Sequence, residues 1–278
     1  HGDRIESLAG AIVGALNNIL VVHIEGGEVS GTIDESIRHS VSKLAHIHLV
    51  ANEEAKRRLI QMGEKESSIY IIGSPDIDLM TSSNLPSLKS VKRDFDIPFN
   101  QYAIFMYHPV TSSLHSLLDN IQEVMKAIVA SEKNFVVIYP NNDPGSEIIM
   151  EELEMLKKNH HFMVFPSIRF KAFLVLLKKC EFIIGNSSAG VREAPFYAVP
   201  AINIGNRQSG RFSHKTIIDV PESKEKIISA IEKVKYLKVG SSKHFGDGKS
   251  TKRFLEVLES GRVWEENIQK QFMDLKSI

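Results

Sequence analysis

Apolar runs of strand length alternate with segments of helical period along most of the chain. Leu8, Ile12 and Leu16 recur every four residues and predict an opening helix. Residues 19–24 (ILVVHI) form a β-branched run ending in Glu25-Gly26-Gly27, which predicts a strand running into a loop. Thr32 and Glu35 have the spacing of a capping box, and Ile37, Val41 and Leu44 follow at helical intervals, so a helix is expected over 33–45. A short strand at 48–51, a charged amphipathic helix at 53–62 and a strand at 69–72 complete this block. Residues 81–93 are polar and show no clear period, which places a domain boundary near residue 85.

The alternation restarts at 102–107, a strand that delivers His108-Pro109. Leu114, Leu117, Leu118, Ile121, Val124 and Ile128 make a strong helical stripe. Strands are then expected at 135–139, 162–165, 182–184 and 201–204, with helices at 146–158, 170–179 and 188–197 between them. Further helices are expected at 222–238, 251–259 and 262–275. Near-strict alternation implies right-handed βαβ crossovers and mainly parallel sheets. The expected organisation is an α/β chain of two Rossmann-like domains: 1–85, 86–250, and a C-terminal segment 251–278 packing back on the first. Ligands of such sheets sit beyond the carboxyl ends of the strands, so the loops after each strand are where chemistry is sought.

Composition narrows the classes. Of 278 residues, 34 are Lys or Arg and 34 Asp or Glu, so the formal net charge is zero and a nucleic-acid partner is not expected. The single cysteine, Cys180, excludes an internal disulfide framework and fits a reducing compartment. The longest apolar stretch, 8–22, is broken by Gly10, Gly14, Asn17 and Asn18 and is too short to span a membrane. The opening residues carry no signal-peptide pattern, and a soluble cytoplasmic protein is the expectation.

Gly185-Asn186-Ser187-Ser188-Ala189-Gly190 follows a strand and opens an expected helix. Small residues there let backbone approach an anion, and a helix N-terminus offers free N–H groups. A plain βα turn with a serine cap explains the same residues equally well. After the next strand, Gly205 to Arg211 (GNRQSGR) places two arginines in a Gly-containing loop, which fits an anion or an ordinary solvated loop. In the first block, Asp3, His23, Glu25, Glu28, Asp34 and Glu35 crowd one strand end and the next helix start. Converging carboxylates suit acid–base chemistry. Asp34 and Glu35 also suit a first helical turn, whereas Glu25 in a loop after a buried strand has no such explanation. His108 stands at a strand end. His46, His48, His160 and His161 are assigned to the framework, and neither CxxC nor HExxH occurs, so no metal site is expected.

Four segments together closely resemble the hydrolysing UDP-N-acetylglucosamine 2-epimerases of sialic acid biosynthesis: HIEGGEVSGTIDESIRH (23–39), MYHPVTSS (106–113), GNSSAGVREAP (185–195) and INIGNRQSGR (202–211). The resemblance spans essentially the whole chain in order. Non-hydrolysing epimerases are similar instead to HxEAGLRT followed by PEExNR, a pattern absent here. The resemblance implies a glycosyltransferase-B-like fold with a UDP-sugar in the interdomain cleft, and anti elimination of UDP across C1–C2. Hydration of the resulting 2-acetamidoglucal then releases N-acetylmannosamine. It implies no cofactor, no metal, and a homodimer or homotetramer. By position, Asp3, Glu25 and Asp34 match the family's acidic catalytic residues, their individual roles left open. His108 matches a histidine near the diphosphate, where a protonated imidazole could stabilise the leaving group. Arg4, Ser187, Ser188 and Arg207 match diphosphate contacts, Glu193 a ribose contact, and Phe170 a uracil-side contact.

Family members carry several βα units before the HGDR segment that opens this chain, so the resemblance implies an incomplete first domain. Two other activities are compatible with the same residues. One is the same reaction on UDP-2,4-diacetamido-2,4,6-trideoxyglucose, in the legionaminic acid pathway. The other is a retaining glycosyltransferase of the same fold. Solvent-proton exchange at the sugar C2 separates the last from the epimerases.

Overall fold

The computed structural model describes residues 1–237 and 240–274, which form two compact units. The first holds His1–Ser82 and takes the chain back from Lys243; the second is Ser83–Ser242. The change of unit therefore comes at 82 and the return at 243, earlier than the expected 85 and 251. Local contacts explain the early return. The Ser74 N–H donates to the carbonyl of buried Phe245 (2.7 Å), and the Asp78 carboxylate accepts the Ser250 and Thr251 N–H groups (both 2.8 Å).

In the first unit the order is α1 (Ile5–Leu16), β1 (Val22–Ile24), α2 (Ile33–Leu44), β2 (Ile47–Val50), α3 (Glu53–Gln61), β3 (Ile69–Ile71) and α4 (Pro75–Thr81). The three strands form a parallel sheet in the order β1-β2-β3, with His23 opposite His48. β2 is buried at every position, which is why its sequence IHLV does not alternate. α1 buries Ala11 and Gly14 rather than the expected stripe; Ile12 and Leu16 are exposed.

The second unit runs α5 (Leu88–Asp94), β4 (Ala103–Met106), α6 (Leu117–Ala130), β5 (Phe135–Ile138), α7 (Ser146–Glu154), β6 (Phe162–Phe165) and α8 (Phe170–Lys179). It continues with β7 (Ile183–Gly185), α9 (Glu193–Phe196), β8 (Ala201–Ile204), β9 (Ile217–Val220) and α10 (Lys224–Val234). Its six parallel strands lie in the order β6-β5-β4-β7-β8-β9. The chain starts mid-sheet, winds outward one way, then crosses back and winds the other, so the topological switch lies between β4 and β7. Phe105, Phe135, Val137, Ile184, Ile202 and Ile204 build the core on one face, with Leu117, Ile121, Val124 and Ile128 of α6 packed against them. At the switch, Gly185 has φ +131°, and a Cβ there would collide with the Met106 carbonyl of β4. Only glycine closes the two strands this tightly.

After the second unit the chain supplies α11 (Ser250–Glu259) to the first, where Phe254, Val257 and Leu258 pack on Ile47, Leu49 and Ile72.

Several expected elements differ. Thr32 does not cap α2; instead the Glu35 carboxylate accepts the Ser30 N–H (2.6 Å). Residues 88–94, expected as loop, form α5, because the Ser87 hydroxyl accepts the Ser90 N–H and starts a helix. The expected 188–197 helix divides into a single 3₁₀ turn, Ser188–Gly190, and the four-residue α9. Pro195, lacking an N–H, cannot continue the ladder through this stretch. The 222–238 helix is Lys224–Val234; Lys238 lies outside the described residues. β9 is not predicted by the sequence pattern because polar Asp219 interrupts its apolar run. The 262–275 helix reduces to one turn, Arg262–Glu265, with residues 266–274 forming an irregular strap outside any helix or strand; Leu275 lies outside the described residues.

Candidate active site

In the first unit, the segment before α1 is laid against the end of β1. The Gly2 N–H donates to the Ile24 carbonyl (3.0 Å), and His23, fully buried, donates from Nε2 to the Gly2 carbonyl (2.9 Å). A carbonyl can only accept, so the His23 proton is on Nε2 and Nδ1 accepts from the Ser42 hydroxyl on α2 (3.0 Å). This clamp fixes the neighbours. Asp3 pairs with the guanidinium of Arg38, which is 1% exposed and also donates to the Glu28 carbonyl (3.1 Å). Glu25, 5% exposed, faces His1 Nε2 at 3.0 Å, and Arg4 stands 4.0 Å from Asp34. The structure thus brings Asp3, Arg4, Glu25 and Asp34 into one linked group.

Glu25 has φ +67°, a left-handed conformation that a side chain with a Cβ adopts at a cost. It is held there by its N–H, which donates to the Leu49 carbonyl (2.9 Å), and by the two glycines that follow. Gly26 has no room for a Cβ, which would stand 2.8 Å from both His23 Nδ1 and Ser42 Oγ. The HIEGG run is therefore a device for turning one buried carboxylate away from the strand that delivers it.

Burial lowers the His23 pKa to about 4, outweighing the Gly2 hydrogen bond that raises it. The neighbouring His48 is also lowered, chiefly by burial. Unfolded imidazoles take up protons below about pH 6.5, whereas these two stay neutral while folded. Their contribution is complete above pH 6.5 and is lost as pH falls from 6.5 toward 4, where His23 itself begins to protonate. For His23 this amounts to about 3 kcal/mol. His23→Gln keeps a donor for Gly2 and cannot titrate. Denaturant unfolding of this variant between pH 6.5 and 4.5 should lose less stability than the parent, by about 1.4 kcal/mol per pH unit. An unchanged slope would show that His23 is not the titrating group.

In the second unit the site stands at the switch point, where β4 delivers His108 and β7 delivers Asn186. Asn186 is fully buried and joins the two strand ends. Its Nδ2 donates to the His108 carbonyl (2.8 Å) and its Oδ1 accepts the His108 N–H (2.6 Å), while its own N–H donates to Met106 (3.1 Å). Its carbonyl accepts from Arg207 Nη1 (3.3 Å) and Gln208 Nε2 (3.2 Å). The Asn141 N–H donates to His108 Nδ1 (3.1 Å), which leaves that nitrogen without a proton. In this geometry Nδ1 is an acceptor, which departs from the protonated imidazole that the resemblance implies.

Ser187 accepts the Ala189 N–H (3.3 Å), and Ser188 opens the 3₁₀ turn. A three-residue turn carries little macrodipole, so positive charge here comes from side chains instead. Arg192, Arg207 and Arg211 are each below 10% exposed, and Arg211 is braced by Gln208 (3.2 Å). Glu193 is buried beside them at the head of α9. Burial and Glu193 push the Tyr197 hydroxyl up to about 12. Phe170 stands apart. It heads α8 after the edge strand β6, two places from β4, and its ring contact is with Phe173.

Arg38, Asn141, Asn186 and Gln208 are not singled out as site residues by the sequence, whereas Arg211 is one of the two loop arginines it offers for an anion. Arg38 could have been found, because an arginine at a position with helical apolar spacing must bring a carboxylate with it. Among the described residues no group of three or more His, Cys, Asp or Glu could hold a metal ion, and no helix is long and apolar enough to cross a membrane.

A family model described as UDP-N-acetylglucosamine 2-epimerase matches residues 1–259. The UDP-N-acetylglucosamine 2-epimerase of Neisseria meningitidis is 52% identical over 279 residues, covering 99% of this chain and 74% of that protein. The hydrolysing UDP-N,N'-diacetylbacillosamine 2-epimerase of Legionella pneumophila is 34% identical, covering 93% and 69%. Polysialic acid biosynthesis protein P7 of Escherichia coli is 38% identical, covering 83% and 60%. The solved Methanocaldococcus jannaschii UDP-GlcNAc 2-epimerase, in complex with UDP-GlcNAc and UDP, superposes with a TM-score of 0.76 at 24% identity over 94% of this chain and 74% of that one. The fold is glycosyltransferase-B-like, built of two Rossmann-like units.

Proposed function

Because the chain belongs to the UDP-N-acetylglucosamine 2-epimerase family, we propose that it is a hydrolysing UDP-N-acetylglucosamine 2-epimerase that converts UDP-N-acetylglucosamine and water to N-acetylmannosamine and UDP. The observation that carries the reading is the buried, left-handed Glu25 within the linked group Asp3–Arg38, Glu25–His1 and Asp34–Arg4. The names of the Legionella and Escherichia relatives support hydrolysis and a sialic-acid-type product.

The second unit supplies the nucleotide-binding groups. Arg207 and the Ser187–Ser188 turn take the diphosphate, Glu193 the ribose hydroxyls, and Phe170 the base side. Buried arginines are well suited to phosphate oxygens. His108 Nε2–H donates to the leaving diphosphate oxygen and stabilises the charge that develops there.

The first unit supplies the acid–base groups. Glu25 removes the C2 proton as the C1–O bond to UDP breaks, giving 2-acetamidoglucal and UDP. Water then adds, its hydroxyl to C1 and a proton to C2 on the opposite face, which inverts C2. Asp3 is held by a guanidinium that does not give up its proton, so it serves as a fixed negative charge. Asp34 activates the water or assists the sugar oxygen, with Arg4 reaching toward the diphosphate.

Product analysis tests the assignment. UDP-N-acetylglucosamine should yield free N-acetylmannosamine and UDP in equal amounts. Accumulation of UDP-N-acetylmannosamine would contradict hydrolysis, and turnover only of the 2,4-diacetamido sugar would move the substrate to the Legionella type.

A further inference from the structure

The strap of residues 266–273 ends on a buried ion cluster. Lys270 Nζ lies 2.5 Å from a carboxylate oxygen of Glu64, whose side chain is 1% exposed. The same carboxylate receives Lys43 (2.7 Å) and His48 Nε2 (3.0 Å). Lys270 also donates to the carbonyls of Ser42 (3.0 Å), Lys43 (3.0 Å) and Ala45 (2.7 Å). These carbonyls close the C-terminal end of α2, where a helix's last carbonyls lack donor partners and a cation is favoured. Two further contacts dock the strap. His46 Nε2 donates to the Ile268 carbonyl (2.8 Å), and Lys65 pairs with Glu266 (2.8 Å). A cavity of about 280 Å³ remains beside this cluster.

Along its length α2 also holds the acid group. Asp34 stands in its first turn, Arg38 holds Asp3, and Ser42 holds His23, which in turn holds Gly2. One rigid helix of 12 residues thus has the strap at one end and the acid group along its length. The strap lies beyond residue 259, where the match to the family model ends.

We infer that the strap is a positioning device, in which Lys270 seats α2 on the Glu64 cluster and thereby fixes Asp34, Arg38 and Asp3 for catalysis. Lys270 touches no reacting atom. The catalytic part of this inference rests on the proposed function; the seating of α2 does not. Removing Lys270 leaves α2's last carbonyls without their cation and Glu64 with less charge compensation, and a buried carboxylate tolerates that poorly.

The test uses Lys270→Met and the double variant Glu64→Gln/Lys270→Met in the full chain, below their melting transitions. Hydrogen–deuterium exchange read by mass spectrometry should rise at least tenfold over residues 36–45 in Lys270→Met. Its kcat should fall about tenfold, with KM within twofold of the parent. The double variant removes the buried charge as well and should recover stability, yet keep the fast exchange and the low kcat. Return of kcat to the parent value in the double variant would reduce Lys270 to a stability role and overturn the inference. So would unchanged exchange over 36–45 in Lys270→Met. If the parent releases no N-acetylmannosamine, the proposed function fails while the exchange data still judge the seating of α2.

Discussion

Glu25→Gln is expected to lower kcat about 10³-fold, within the range general acid–base groups contribute, and to leave UDP affinity within twofold of the parent. Gln keeps the shape and the contact with His1 but cannot take a proton. The substitution leaves φ +67° and the Leu49 hydrogen bond in place, so the fold should be retained. Nucleotide affinity should survive because, Arg4 apart, the groups assigned to UDP belong to the second unit. Product release by chromatography gives the rate, and calorimetry with UDP gives the affinity. A kcat within tenfold of the parent would remove Glu25 from proton transfer. A parallel loss of UDP binding would show instead that the residue is needed for the fold.

The second large effect concerns Asn186. Its side chain bridges the His108 N–H and carbonyl, and it is fully buried. Asn186→Ala strands both groups away from water. At about 1–3 kcal/mol for each unpaired buried group, the second unit should lose about 3 kcal/mol. For a unit of this size that lowers Tm by roughly 6–12 °C. His108 also loses the anchor that sets its backbone, while Arg207 and Gln208 keep the Asn186 carbonyl. UDP affinity should therefore fall about tenfold even at temperatures where the variant is folded. Scanning calorimetry and UDP titration read the two effects separately. A shift in Tm below 2 °C would mean that water replaces the amide.

Much of this architecture is legible because parallel strands buried on both faces advertise themselves as unbroken apolar runs, as in FVVI of β5 and AINI of β8. Their carboxyl ends then locate His108 and Ser187–Ser188 by topology alone. What sequence reading misses is decided by tertiary contact. Residues 262–275 have helical spacing, but beyond Glu265 the contacts of Lys270 and His46 hold residues 266–274 in an irregular strap that no local propensity encodes. Residues 188–197 look like one helix until Pro195 and the serine hydroxyls break it. Asp219 disguises β9 as a loop. Asn186 and Arg38 are ordinary in sequence; their importance comes from complete burial, which composition does not reveal. The acceptor role of His108 Nδ1 is likewise fixed by a main-chain donor, Asn141, more than thirty residues away.

The central claim is that an acid group in the first unit transfers the proton at C2 of a UDP-sugar. Proton NMR of the reaction with UDP-N-acetylglucosamine in D₂O tests it most directly. The account predicts N-acetylmannosamine carrying one deuterium at C2, with UDP released at the same rate, and neither signal from Glu25→Gln. Product that retains protium at C2, or deuterium incorporation undiminished in Glu25→Gln, would contradict it.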